Sequence, residues 1–427
     1  MAARSLKELY DDLQVAQGPA ERTRAVGSSE SPFILKLADL ILSYGVQARA
    51  SDIHLEPTAS GARVRYRIDG LLHELLGLSQ DIRDPLIRSI KVKANMATDM
   101  VGRSKPQDGR IDFDWNNRKL DLRLSSFPTL FGDVLAVRIL DRSAPLLVLD
   151  QIGFPLALFG AYEKILHRPN GMILVTGPAG SGKTTTLYAS INALRSPHTK
   201  IVTLEDPVEY QVDGVDQAQM NPAVGLTFAS GLRAVLRQDA NVILVGEIRD
   251  KETADIAIRA ALTGHLVLST MHTRHSLGAA TRLIDMGIEP HLILASVTGV
   301  IAQRLVRLLC PRCKAPDPVA VNTFVRLWRQ ETGAAPSDSA TAALSKGKGC
   351  PACNTTGYHG RTGIFELLVL TDELKQFILD RAISQFYKGA SASGKLKTML
   401  LNGLEKASRG ETTIDEVLRV TGETDEL

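Results

Sequence analysis

Aromatic residues are scarce in this sequence, at 5% of 427 residues, which argues against a surface built from base-stacking platforms. A dominant charge is also lacking. Lys and Arg total 50 against 47 Asp and Glu, and the resulting +3 is too small for a dedicated nucleic-acid binder despite a pI near 8.6. No long apolar run occurs either. The richest stretch, around Leu292–Ala302, falls well short of the about 18 residues that a membrane helix requires, and it lies among helix-like sequence. The opening residues, MAARSLKELYDDLQ, carry acids where a secretory signal needs an apolar core. A cytoplasmic protein is expected, brought to a membrane, if at all, by a partner.

Cysteine is absent before position 310. All four cysteines then come as two C-x-x-C pairs, Cys310 with Cys313 and Cys350 with Cys353. Without a signal peptide such pairs point to metal rather than to disulfides. Four thiolates suit a closed tetrahedral Zn²⁺ site that serves folding rather than catalysis.

The length favours two to four domains. Residues 1–30 are polar, end in Gly-Ser-Ser-Glu-Ser, and read as a mobile tail. From Ser31 a helical pattern is followed by strands at Ile53–Glu56 and Arg63–Ile68, and by a helix over Asp84–Ala97. Further strands are expected at Arg110–Trp115, Lys119–Leu124 and Val134–Leu140, giving an α+β domain over 31–142. A short linker then leads to a second domain over 149–427. There MILVT (172–176), KIVTL (200–204), NVILV (241–245) and HLVLS (265–269) alternate with helical segments, which predicts a parallel sheet with helices on both faces. A zinc module over 306–362 and a helical C-terminus over 363–427 complete the layout. Thr413 and Glu416 look like a capping box for the last helix.

Gly177, Pro178, Ala179, Gly180, Ser181, Gly182, Lys183 and Thr184 match G-x-x-x-x-G-K-[ST] in full, between a predicted strand and a predicted helix. Backbone N–H groups of such a loop curl around phosphate oxygens, and the helix N-terminus adds its positive end. Lys183 is expected on the β- and γ-phosphates and the Thr184 hydroxyl on Mg²⁺, with Thr185 beside it. After the next strand, Glu205, Asp206 and Glu209 place three carboxylates within five residues, where a water-activating group belongs; the plainer reading is an acidic solvated loop. Glu247 ends the strand NVILV as a Walker B carboxylate would. His265 and His272 flank the strand HLVLSTMH, and are read as structural or functional with equal weight.

The order GPAGSGKTTTLYA, TLEDPVEY, GLTFASGLRAVLRQD, ILVGEIRDKETA and TGHLVLSTMHT resembles the hexameric ATPases of type II secretion and of type IV pilus assembly and retraction. RASDIHLEP, RYRIDG, PQDGRI and CPRC…CPAC extend the resemblance over nearly the whole chain. It implies a RecA-like P-loop catalytic domain preceded by a smaller α+β (PAS-like) domain, acting on ATP with Mg²⁺ as a homo-hexamer. Glu209 takes the role of catalytic base, supported by Glu205 and Asp206. Glu247 holds Mg²⁺ together with Thr184, while His265 and His272 lie near the γ-phosphate. Arg123 and Arg138 match arginines that the family's N-terminal domain supplies to bound nucleotide.

LHRPNGMILVTG and GYHGRTGIFELL lean toward type II secretion, working with an inner-membrane platform and a docking protein. A pilus motor and a DNA-translocating relative are the alternatives. Retention of Lys183, Thr184, Glu209 and Glu247 argues against a non-catalytic scaffold. Departures from the pattern are Ala179 in place of threonine, Asp133 in place of glutamate, Arg274-His275 after His272, and a front end too short for a docking domain.

Overall fold

A computed structural model describes residues 4–16, 29–99, 105–141, 147–370 and 396–422. It divides into two compact units, Met1–Pro145 and Leu146–Leu427.

The first unit begins with a helix, α1 (Leu6–Ala16), where a tail was expected. Leu6 and Tyr10 are buried, and Leu9 and Leu13 pack beside them. These four positions form an i, i+3, i+4, i+7 stripe, so the segment has an apolar face that its charged residues mask. It packs on α2 (Pro32–Gln47), in which Pro32 sits at the helix start, and on β3 (Leu71–Ser79). The strands β1 (Ala50–Thr58) and β2 (Gly61–Ile68) precede β3. After it, α3 runs from Gln80 to Lys93, four residues earlier than expected, and β4 (Gln107–Trp115), β5 (Arg118–Thr129) and β6 (Gly132–Asp141) follow. All pairings are antiparallel, in the order β3-β2-β1-β6-β5-β4. Alternate residues of these strands enter one core, which is why they read as strands from sequence.

The second unit opens with α4 (Leu156–Leu166), β7 (Gly171–Thr176) and α5 (Lys183–Leu194). Next come β8 (Ile201–Glu205), β9 (Asp216–Gln219), α6 (Phe228–Val235), β10 (Val242–Val245), α7 (Lys251–Leu262) and β11 (Leu266–Met271). Two helices, α8 (Leu277–Asp285) and α9 (Pro290–Ser296), lead into β12 (Val297–Leu309). The cysteine module contains β13 (Lys314–Pro316), α10 (Val321–Thr332), α11 (Asp338–Ala342) and β14 (Ser345–Gly347). Last come β15 (Tyr358–Val369), α12 (Met399–Ala407) and α13 (Ile414–Thr421).

Seven strands form one sheet in the order β15-β12-β7-β11-β10-β8-β9, parallel except for β15. Its middle strands are buried on both faces. Ile173 and Val175 enter one core while Met172 and Leu174 enter the other.

Two expectations need correction here. The apolar stretch around 292–302 is only partly helical, because Val297 begins a thirteen-residue strand beside β7. Residues 363–369 are not helical either; they pair antiparallel with β12. Both segments are short apolar runs that hydrophobic pattern alone assigns poorly. The stretch 371–395 of the expected helical tail and much of the expected linker near 142–148 lie outside the described residues. The capping box is half formed. Thr413 Oγ1 accepts from Glu416 N at 3.1 Å, but the Glu416 carboxylate is buried against Arg307 and Arg419 instead. No helix among the described residues is long and apolar enough to cross a membrane.

Candidate active site and metal centre

Strand register determines which side chains meet. Thr176 on β7 lies level with Met271 on β11, so the loop starting at Gly177 and His272 emerge side by side. Val245 on β10 is level with Ser269 on β11 and with Leu204 on β8. Glu247 and the Glu205–Glu209 loop therefore leave the same edge of the sheet. This is the carboxyl edge, where open α/β sheets bind ligands. A cleft of about 270 Å³ lies there, lined among others by Ala179, Gly180, Lys183, Thr184, Glu205, Asp206, Glu209, Glu247 and His272. A second cleft, of about 330 Å³, lies on the first unit beside Lys91 and Phe131 and carries no nucleotide motif.

Gly182 caps α5 with φ of 87°, a left-handed conformation that suits glycine. Lys183 Nζ folds back onto the carbonyls of Gly177 and Pro178, at 2.8 and 3.0 Å. Burial brings its pKa down to about 8; Glu247 opposes the shift and Arg304 adds to it. Glu247 pairs with Arg249 at 2.5 Å and faces His272 Nε2 at 3.6 Å. Burial and the Lys183 charge hold His272 below the usual imidazole pKa. The loop after β11 is tied to the end of β7, where Thr273 N donates to Thr176 Oγ1 at 2.8 Å.

Glu205 lines the cleft but is 4% exposed and already engaged. It accepts from Tyr188 Oη, from Thr203 Oγ1 at 2.6 Å and from Gln217 Nε2 at 3.1 Å. The same Gln217 accepts from Val212 N and donates to Tyr210 O, clasping the loop that carries Glu209. Burial and the Glu205 carboxylate raise the Tyr188 phenol well above its ordinary pKa. Glu205 is thus a buried anchor, and the solvated-loop reading fails for it.

His265 is not part of this site. Leu266 is level with Gly171 and Val242, the first residues of β7 and β10, so His265 lies at the opposite, amino edge of the sheet. Its Nδ1 contacts the Ala260 carbonyl at 3.0 Å, a local role at the end of α7. Arg123 and Arg138 face each other across β5 and β6 in the first unit. Asp121 lies 3.6 Å from Arg123, and Asp52 lies 3.2 Å from Arg138. Gln303, Tyr188, Gln217 and Arg249 were not singled out from sequence. For Gln303 a signal existed: it is a polar residue inside the apolar run VTGVIAQRLV.

The four cysteine sulfurs lie within 4.8 Å of one another. Cys310–Cys350, Cys313–Cys353 and Cys350–Cys353 are 3.8, 3.9 and 3.7 Å apart. Ligands about 2.3 Å from a tetrahedral Zn²⁺ would be about 3.8 Å apart, so the thiols fit that ion. Burial pushes the Cys313 thiol up to about 12. Burial would raise Cys353 too, but N–H donation from Cys350 and Gly357 brings it to about 7.

Residues 28–419 match the family model for the Type II/IV secretion system protein. The chain belongs to the type II/IV secretion ATPase family. It is 42% identical to the "Type II secretion system ATPase E" of Vibrio cholerae, covering 97% of this chain and 80% of that one. Identity to the "Type II secretion system protein E" of Dickeya dadantii is 44%, over 93% and 77% of the two chains. Among solved structures it resembles the Legionella pneumophila ATPase DotB, with a TM-score of 0.66 at 21% identity over 90% and 95% of the chains. It also resembles the pilus retraction motor PilT with bound ADP, with a TM-score of 0.58 at 24% identity over 91% and 97%. Those two likenesses support the RecA-like fold of this secretion ATPase. The expectation of an ATP-hydrolysing enzyme of type II secretion is met by the family and by relatives above 40% identity.

Proposed function

We propose that the cleft at the carboxyl edge of the β7–β11–β10–β8 sheet binds ATP with Mg²⁺ and hydrolyses it with Glu209 as base. The observation that carries this reading is the convergence of Lys183, Thr184, Glu209, Glu247 and His272 on one cleft, from four adjacent strand ends. The loop Gly177–Thr184 cradles the phosphates, and Lys183 exchanges its carbonyl partners for β- and γ-phosphate oxygens. The hydroxyl and carboxylate of Thr184 and Glu247 are suitable donors for Mg²⁺, which when bound neutralises phosphate charge. Glu209 takes a proton from water as the water oxygen attacks the γ-phosphorus. The bond to the bridging oxygen breaks, and ADP leaves with the electron pair. Glu205 and Asp206 support the base loop, and His272 orients Glu247 against the γ-phosphate. Resemblance alone carries the assignment of Arg123 and Arg138 to the nucleotide's charge.

The work output is assembly of pilin-like subunits during type II export, by a hexamer gathered at a membrane platform. One Zn²⁺ on Cys310, Cys313, Cys350 and Cys353 fastens the module that follows β12. Glu209→Gln should bind ATP as the wild type does while losing hydrolysis. Hydrolysis at the wild-type rate in that variant places the base elsewhere. Turnover that rises with a partner's cytoplasmic domain and stays flat with DNA supports the secretion role over a DNA motor.

A further inference from the structure

A phosphate-binding loop works only if its amides point inward, and a trans peptide then points the preceding carbonyls outward. Those outward carbonyls need partners of their own, because a buried unpaired carbonyl is costly. In this chain one residue supplies such a partner. Gln303, on β12, is 1% exposed, and its Nε2 donates to the Ser181 carbonyl at 2.7 Å. Its Oε1 accepts from Thr186 Oγ1, in the first turns of α5, at 2.8 Å. The amide orientation is forced, since a carbonyl can only accept and therefore requires the NH₂ end.

The same residue presses on the loop at both ends. A side chain added at Gly177 would come within 2.6 Å of the Gln303 backbone carbonyl, and one at Gly182 within 3.1 Å of Gln303 Nε2. Ser181 C=O and Gly182 N–H belong to one planar unit, so a bond that fixes the carbonyl outward also fixes the Gly182 amide toward the cradle.

We propose that Gln303 is a positioning residue for nucleotide binding, holding the Ser181–Gly182 peptide so that the Gly182 amide faces the phosphates before nucleotide arrives. Gln303 touches no substrate and acts through the loop alone. The inference rests on the phosphate-cradle reading of Gly177–Thr184, which loss of binding in Lys183→Ala tests separately.

The experiment uses the full chain and a fluorescent ribose-labelled ADP, with each variant compared to wild type at pH 8 and at pH 6. Gln303→Leu should weaken ADP binding about tenfold at both pH values, the loss expected for one buried hydrogen bond plus an orphaned carbonyl. It should lower kcat/KM more than kcat. Gln303→Glu should lose as much at pH 8, where the introduced carboxylate cannot donate. Burial raises the pKa of such a group, so by pH 6 it carries a proton and can donate to Ser181 O. Binding should then recover to within about threefold of wild type. Thr186→Val, which releases the other end of the amide, should cost about threefold and serves if the leucine variant fails to fold. Wild-type affinity in all three variants, or a loss in Gln303→Glu that is the same at pH 8 and pH 6, overturns the proposal.

Discussion

The proposed nucleotide cleft and the tetracysteine cluster sit in the same unit, yet they hold their polar groups differently. In the cleft the polar groups are already occupied by the protein: Lys183 by two loop carbonyls, Glu205 by three donors, Ser181 O by Gln303. In the cluster four sulfurs come together from the segments that join β12 to β13 and β14 to β15, and Cys353 Sγ accepts from Cys350 N and Gly357 N. Burial favours the neutral form in both places, lowering the Lys183 pKa to about 8 and raising that of Cys313 to about 12. On the proposed reading a polyanion displaces protein partners in the cleft, whereas a cation joins the four sulfurs of the cluster.

The sharpest way to break that comparison is to remove the metal. Elemental analysis should find one zinc per chain, and a strong chelator should unfold the module, because structural Zn²⁺ contributes on the order of 10 kcal/mol to small sites. Cys310→Ser should do the same, seen as lost metal and protease sensitivity between 310 and 357. Near-zero metal in a folded wild-type protein would reject the assignment. Lys183→Ala should instead leave the melting temperature close to wild type and reduce ATP turnover about 10³-fold, since it deletes phosphate charge stabilisation from a preset loop. Collapse of the fold in that variant would show that the cradle is not self-supporting.

The two histidines that flank β11 sharpen the contrast further. His272→Ala should slow turnover about 10²-fold. His265→Ala should stay within about twofold, as a surface change away from the site. Equal losses would mean that position along the strand does not matter. The smallest effect concerns pH. Lys183 carries its charge below about 8 and loses it above, and phosphate binding favours the charged form. ADP affinity should therefore fall about fivefold from pH 7 to pH 9, with proton uptake on binding near pH 8.5. A flat profile would place the lysine's pKa outside that window.

Much of this was legible in the sequence because it is local. The buried runs MILVT and NVILV and the P-loop between strand and helix announce themselves within a dozen residues. Spatial order is another matter. The strands occur along the chain as β7, β8, β10, β11 and stand in the sheet as β7, β11, β10, β8. No local pattern encodes that exchange; long-range burial decides it. His265 and His272 show the cost of reading nearness along a chain as nearness in space. At about 3.3 Å per residue a strand carries two such positions roughly 20 Å apart. In α1 the apolar stripe of Leu6, Leu9, Tyr10 and Leu13 is diluted by Lys7, Glu8, Asp11 and Asp12, so composition outweighed periodicity. In β12 and β15, β-branched and leucine-rich runs fit a strand and a buried helix equally well.

Asp133, the position where the resemblance led one to expect glutamate, has a consequence for anyone recombining this chain with a relative. Its carboxylate meets Lys91 at 2.6 Å, and that lysine is 2% exposed. A shorter acid sets where the ammonium can sit, so the two residues, far apart in the chain, depend on each other. A crossover placed between them would match a lysine on α3 to a hairpin built for a different acid. If the match leaves the ammonium unpaired, the penalty is about 3–5 kcal/mol. Exchanges that carry 91 and 133 together should yield soluble hybrids, whereas those that separate them should be the ones recovered in inclusion bodies.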